Sequence, residues 1–242
     1  MLSVTGLSKR FGGLQAVNEV SFAMGGEDIL GLIGPNGAGK TTVFHLISGF
    51  LAPDAGDIRL DRHPIIGEKP HAICRRGLVR TFQIARPFAR LSVLDNVKVA
   101  ALVRHPDVRA AVRAAEGVIE TVGLGPRARV PAASLTLPER KRLELARALA
   151  TQPRLLLLDE VMAGLNPTET ETIVGLIRRL HASGIAILLI EHNMRAVMAL
   201  SHRILVLSFG ETIAEGPPAA VANDPRVIEA YLGEEYVHAP PA

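Results

Sequence analysis

Residues 34–41 read GPNGAGKT, the spacing G-x-x-x-x-G-K-[ST], and no other stretch of the 242-residue chain constrains its fold as tightly. Gly34, Gly37 and Gly39 let the backbone close into a loop whose N–H groups point inward, with no Cβ in the way. Pro35, Asn36 and Ala38 fill the loop, and Thr42 follows it. The apolar run ILGLIG precedes it as a strand, and a helix from Lys40 to Gly49 opens directly after it. The N-terminus of that helix carries partial positive charge. Lys40 adds a full charge for terminal phosphates, and Thr41 offers a hydroxyl to Mg²⁺. A strand, this loop and a helix predict a phosphate cradle in an α/β protein.

The rest of the chain is organised to match. Around the loop, LSVTGL, EVSFAM, DILGLIG and DIRL read as strands separated by glycine-containing turns. From about 85 to 150, Ala, Arg and Leu dominate and helical periodicity replaces alternation, as in a helical lobe. From 154 onward, RLLLLDE, IAILLIEH and RILVLSF are continuous apolar runs of the kind buried parallel strands need. Helices over 168–183 and 194–200 alternate with them, which predicts an α/β sheet covered on both faces.

Several of these strands end in polar groups. RLLLLDE (154–160) delivers Asp159 and Glu160, two adjacent acids whose burial costs several kcal/mol unless something pairs with them. Mg²⁺ near Asp159 would do so, and Glu160 could then polarise an attacking water as general base. IAILLIEHN (185–193) delivers His192, able to hydrogen-bond a γ-phosphate, and TFQ (81–83) delivers Gln83, able to bond a metal-bound water through its carbonyl. In an open parallel sheet such ends line one edge, where ligands bind. The segment LTLPERKRLELARAL (135–149) reads locally as a helix entered through Pro138, with Arg140, Lys141, Arg142 and Arg147 on a solvated face.

Composition narrows the classes. Net charge is +3, and Trp is absent, so aromatic stacking on nucleic acid is not the expected activity. Arginines cluster between Arg75 and Arg113, either as a solvated surface or as a face for a partner or membrane edge. The one cysteine, Cys74, excludes an internal disulfide and a cysteine-built metal site and fits a reducing compartment. MLSVTGLSKRFGG has no signal-peptide apolar region, and IAILLI is too short to span a bilayer. The expectation is a soluble or peripheral protein of the cytoplasm.

The order GPNGAGKT, TFQ, LTLPERKRLELARALA, RLLLLDE and IEHN resembles the ATP-binding subunit of an ABC transporter over nearly the whole chain. The resemblance implies a single ABC ATP-binding domain over 1–242: an α/β P-loop NTPase core with an N-terminal antiparallel β subdomain (1–84 and 151–215), an α-helical lobe (85–150), and a C-terminal helix and tail (216–242). It implies ATP and Mg²⁺ as cofactors. Gln83 would be the Q-loop residue, Asp159 the Walker B acid, Glu160 the catalytic base and His192 the switch histidine, with Thr41, Gln83 and Asp159 toward the metal. Phe11 in SKRFGG matches the aromatic that stacks on adenine, although an aromatic there could equally belong to the core. AGLNPTE (163–169) matches the D-loop. Such subunits form head-to-tail dimers that sandwich two ATPs and act on transmembrane partners.

Where those proteins carry LSGGQ, this chain has LTLPE. Thr136 keeps a hydroxyl for the partner's γ-phosphate. Leu137 and Pro138 replace both glycines, Pro138 has no N–H to donate, and Glu139 puts an acid near phosphates. Val161 replaces the proline that usually follows the catalytic glutamate. The segment is either a weakened signature, giving a hetero-pair with one strong and one weak site, or a tolerated variant. FHLISGF, RTFQIARPFARLSVLDNV, IEHNMRAVM and EGPPAAVANDPRVIEAYLGEE resemble the ATP-binding subunit of branched-chain amino acid importers. That implies transmembrane permease subunits, a second ATP-binding subunit and, indirectly, a solute-binding protein as partners, no nucleic acid, and a peripheral place on the cytoplasmic face of the inner membrane. Three alternatives stand beside it: the ATPase of a lipopolysaccharide-type exporter, a non-transport regulatory ABC protein, and a small-molecule kinase.

Overall fold

The computed structural model describes residues 1–81 and 87–237. In chain order the strands and helices are β1 (Leu2–Phe11), β2 (Leu14–Met24), β3 (Ile29–Ile33), α1 (Lys40–Ile47), β4 (Ala55–Leu60), β5 (His63–Pro64), α2 (Pro70–Arg75), β6 (Leu78–Arg80), α3 (Val93–Ala101), α4 (Val108–Thr121), α5 (Leu137–Leu149), β7 (Leu155–Asp159), α6 (Pro167–Ala182), β8 (Ala186–Ile190), α7 (Met194–Leu200), β9 (Arg203–Ser208), β10 (Glu211–Gly216), α8 (Pro218–Ala222) and α9 (Pro225–Val237). The chain divides into two compact units, Met1–Pro70 with Ala186–Ala242, and His71–Ile185.

The first unit holds two kinds of sheet. β2, β1, β4 and β5 form an antiparallel sheet in that order. β3 pairs in parallel with β8 on one side and β9 on the other, and β10 closes antiparallel on β9. Ile29, Leu30, Leu32 and Ile33 are buried, as are all five residues of β8 and Ile204 to Leu207 of β9. Strands buried on both faces have no polar face to alternate with, which is why the sequence reads as unbroken apolar runs. The opening strand runs further than LSVTGL suggests, through bulges to Phe11. Phe11 itself is 45% exposed at the strand end, with the Lys9 ammonium 5.7 Å from its ring centroid, so the core alternative for this side chain does not hold.

The second unit pairs β6 with β7 in parallel and packs α3, α4 and α5 together. Its helices are capped by their own sequence. Ser92, Asp107, Thr136 and Asn166 each accept from an N–H of the first turn, and α5 and α6 carry complete capping boxes with Glu139 and Glu169. The proposed solvated face of α5 needs correction. Lys141 is only 4% exposed, and the Arg147 guanidinium lies 5.3 Å from the centroid of the Phe88 ring, where burial lowers its pKa. Charge alternation along a helix records spacing, not what packs over it. Long basic side chains bury their stems and bring the charge to a partner.

Candidate nucleotide and magnesium sites

The 34–39 loop is shaped by its glycines and by the strands beneath. A Cβ on Gly34 would come within 2.0 Å of the Leu207 carbonyl oxygen, and one on Gly39 within 2.3 Å of the Ala16 oxygen. Both have positive φ, 146° and 99°. The turn between β9 and β10 braces the loop from outside: Gly210 donates its N–H to Ala38 O at 3.1 Å and accepts one from Asn18 at 2.8 Å. α1 starts at Gly39 with no side-chain cap. No side chain competes there for the orphan N–H groups that an anion would take. Lys40 is buried at the helix start and donates from Nζ to Gly34 O (2.5 Å) and Pro35 O (2.8 Å), folded across the loop it would serve. Thr41 is exposed and Thr42 half-buried on the first turn. In the same unit β8 ends at Ile190, His192 follows as an exposed residue, and Asn193 caps α7.

In the second unit β7 delivers Asp159 and Glu160. Asp159 is 1% exposed. Its Oδ2 accepts from Arg80 Nη2 at 2.6 Å, its N–H donates to Thr81 Oγ1 at 3.1 Å, and among the described residues nothing donates a hydrogen bond to its Oδ1. A buried carboxylate oxygen with unused lone pairs is the hard-oxygen chemistry Mg²⁺ takes. The residues present therefore fit that ion. Glu160 is partly exposed and left-handed, with φ 49°. Its carbonyl accepts from Lys141 Nζ at 3.0 Å. Gln83 lies outside the described residues, as does Arg86 of the basic run.

The LTLPE segment forms the entry to α5. Thr136 is the N-cap: its Oγ1 accepts from Glu139 N at 3.4 Å, and its own N–H donates to Glu139 Oε2 at 2.9 Å. Pro138 sits in the first turn, where a missing N–H costs nothing to the helix. The acid at 139 does not stand as a bare charge. Arg127 Nε donates to Glu139 Oε1 at 2.7 Å, and this pairing, with the Thr136 N–H and hydroxyl, holds the carboxyl down at about 2.

Sequence reasoning missed Arg80, Arg127 and Lys141. Arg80 closes the short strand β6 just as Asp159 closes β7, so the strand-end rule applied to the acids would have found it. The other two carry no local signal.

A phosphate-cradling loop on a parallel sheet, with a carboxylate pair ending a buried strand, defines a P-loop ATPase. The ABC transporter family model matches residues 17–163, and that of the branched-chain amino acid ATP-binding cassette transporter C-terminus matches residues 211–237. The chain is 42% identical to the high-affinity branched-chain amino acid transport ATP-binding protein BraF of Pseudomonas aeruginosa, covering 97% of this chain and 98% of the relative. LivG of Escherichia coli, of the same description, is 43% identical with the same coverage. The lipopolysaccharide export system ATP-binding protein LptB of Escherichia coli is 38% identical over 97% of this chain and 98% of its own. Among solved structures, an ATP-binding cassette of an ABC transporter in its ADP conformation superposes with a TM-score of 0.88 at 30% identity, covering 96% of this chain and 98% of that one. The chain belongs to the ATP-binding proteins of ABC transporters, the ATPases that power transport.

Proposed function

We propose that this chain hydrolyses Mg·ATP to drive an importer of branched-chain or other hydrophobic amino acids. The observation that carries the solute class is the match at 211–237 to the C-terminal segment of branched-chain cassettes, joined to more than 40% identity with BraF and LivG over nearly the full length. An exporter reading draws support from the similarity to LptB, at lower identity.

In this reading residues 34–42, with Lys40, hold the phosphates and Phe11 stacks on adenine. Thr41 and Asp159, with Gln83, would hold Mg²⁺, whose charge would offset that developing on the phosphates. Glu160 takes the proton of the attacking water, and His192 hydrogen-bonds the γ-phosphate. Thr136 faces the ATP of a second ATP-binding subunit. The core is 1–84 with 151–215, the lobe 85–150, and 216–242 the C-terminal extension. Among the described residues no helix is long and apolar enough to cross a membrane. Val99, Leu102 and Val103 of the α3 end and Val108 opening α4 are 37–60% exposed, and this apolar strip supports contact with a permease subunit on the cytoplasmic face, with a solute-binding protein beyond it.

The test is uptake. Deleting the gene should abolish import of labelled leucine, isoleucine or valine; the native gene should restore it and Glu160→Gln should not. Normal uptake in the deletion strain, with lipopolysaccharide retained in the inner membrane, would replace the importer by the exporter.

A further inference from the structure

Lys141 lies in the second turn of α5 and is 4% exposed. Burying an ammonium is unfavourable unless a partner takes its charge. Its Nζ donates to the Glu160 carbonyl at 3.0 Å, and the same oxygen closes the turn after β7 by accepting from Ala163 N at 3.2 Å. A second contact lies beside it. A Cβ on Gly164 would come within 3.1 Å of Leu137 Cδ2, so the first residue of α5 already lies against that turn. Between these contacts Glu160 holds φ 49°, a left-handed conformation that a residue with a long side chain keeps only where its surroundings impose it.

We propose that Lys141 is a positioning residue for Glu160: its ammonium fixes the Glu160 backbone and so aims the carboxylate at the attacking water. The inference rests on the reading of Glu160 as general base. The backbone angles at Glu160 set the direction of its Cα–Cβ bond, and a carboxylate displaced by about 1 Å from its productive place loses up to 10²-fold in rate. A charge-assisted hydrogen bond is the stronger kind, and the lysine supplies it from a separate element, α5.

The test uses the full chain, alone and assembled with its membrane subunits. Lys141→Met keeps the buried stem and removes the donor; Lys141→Gln keeps a neutral donor; Lys141→Arg keeps a charged one. Removal of the donor should lower kcat about tenfold or more, with KM for ATP and the affinity for a fluorescent ATP analogue unchanged within twofold. Amide exchange should quicken at 160–164 but not in the second half of α5, and Lys141→Arg should recover most of kcat. If Lys141→Met fails to fold, the order native, Arg, Gln in kcat carries the same test. A kcat that ignores the donor, a matching loss of affinity, or unchanged exchange at 160–164 overturns the proposal. Glu160→Gln separates the two levels: if it still turns over, Glu160 is not the base, whereas the exchange measurement still decides whether Lys141 holds the turn.

Discussion

Arg80 and Asp159 are 79 residues apart in sequence and form a buried pair at 2.6 Å, with side chains 4% and 1% exposed. Removing one partner strands the other charge in a dry site, which costs about 3–5 kcal/mol. Arg80→Met is therefore expected to lower the unfolding free energy in urea by about that amount. The double variant Arg80→Met with Asp159→Asn should recover part of it, because no net charge is then buried. Glu139 gives a pH-dependent counterpart. Its folded pKa, about 2, lies below the ordinary 4.5, so its stabilisation is complete above 4.5 and is lost as pH falls toward 2. Thermal melts between pH 5 and pH 3 should show less loss for Glu139→Gln than for the native chain. In Arg127→Met the Glu139 carboxyl, followed by carbon NMR, should titrate closer to 4.5.

At the scale of elements, the phosphate loop was legible because its glycines, lysine and threonine stand at one fixed spacing within eight residues. Gly34 and Gly39 are glycine for a reason visible only in the structure, the carbonyls of Leu207 and Ala16 against the places where a Cβ would stand. Gly39→Ala should consequently abolish binding of a fluorescent ATP analogue and lower the melting temperature, whereas Lys40→Ala should abolish binding with the melting temperature little changed. The buried strands β3, β7, β8 and β9 were also legible, since continuous apolar runs have few other homes. Phe11 was not assignable from spacing, because a strand-end aromatic is exposed or buried according to what covers the sheet. Lys141 and Arg147 were misread for a related reason. Their periodicity placed them on one face, but the carbonyl of Glu160 and the ring of Phe88 reach that face from segments 19 residues downstream and 59 upstream. The capping box of α5 was not read, although Thr136 and Glu139 stand three apart, a pattern that local chemistry alone completes.

For the whole molecule, the variant signature decides how a pair of such subunits would share work. In the proposed dimer each chain offers its α5 entry to the other's ATP. A glycine N–H on a phosphate contributes about 1.5–3 kcal/mol, roughly tenfold or more in affinity, and Pro138 has none to give. Glu139 is paired with Arg127, so a weakened partner site would come from the missing donor and the bulk of Leu137, not from repulsion by a bare acid. Restoring Ser, Gly, Gly and Gln at 136–139 would place two glycines in the first turn of α5, at about 1 kcal/mol each, and release Arg127. The helix start should become less stable, seen as faster amide exchange at 137–140. If the two ATP sites of the assembled transporter are unequal, turnover should nevertheless rise, and the gain should vanish when the catalytic glutamate of the partner ATPase, whose site receives this segment, is changed to Gln. Pro138→Gly alone should give part of the gain by returning one N–H. If turnover stays at the native rate in both variants while the exchange rates change, LTLPE is a signature that serves its partner as well as glycines do, and the pair works symmetrically.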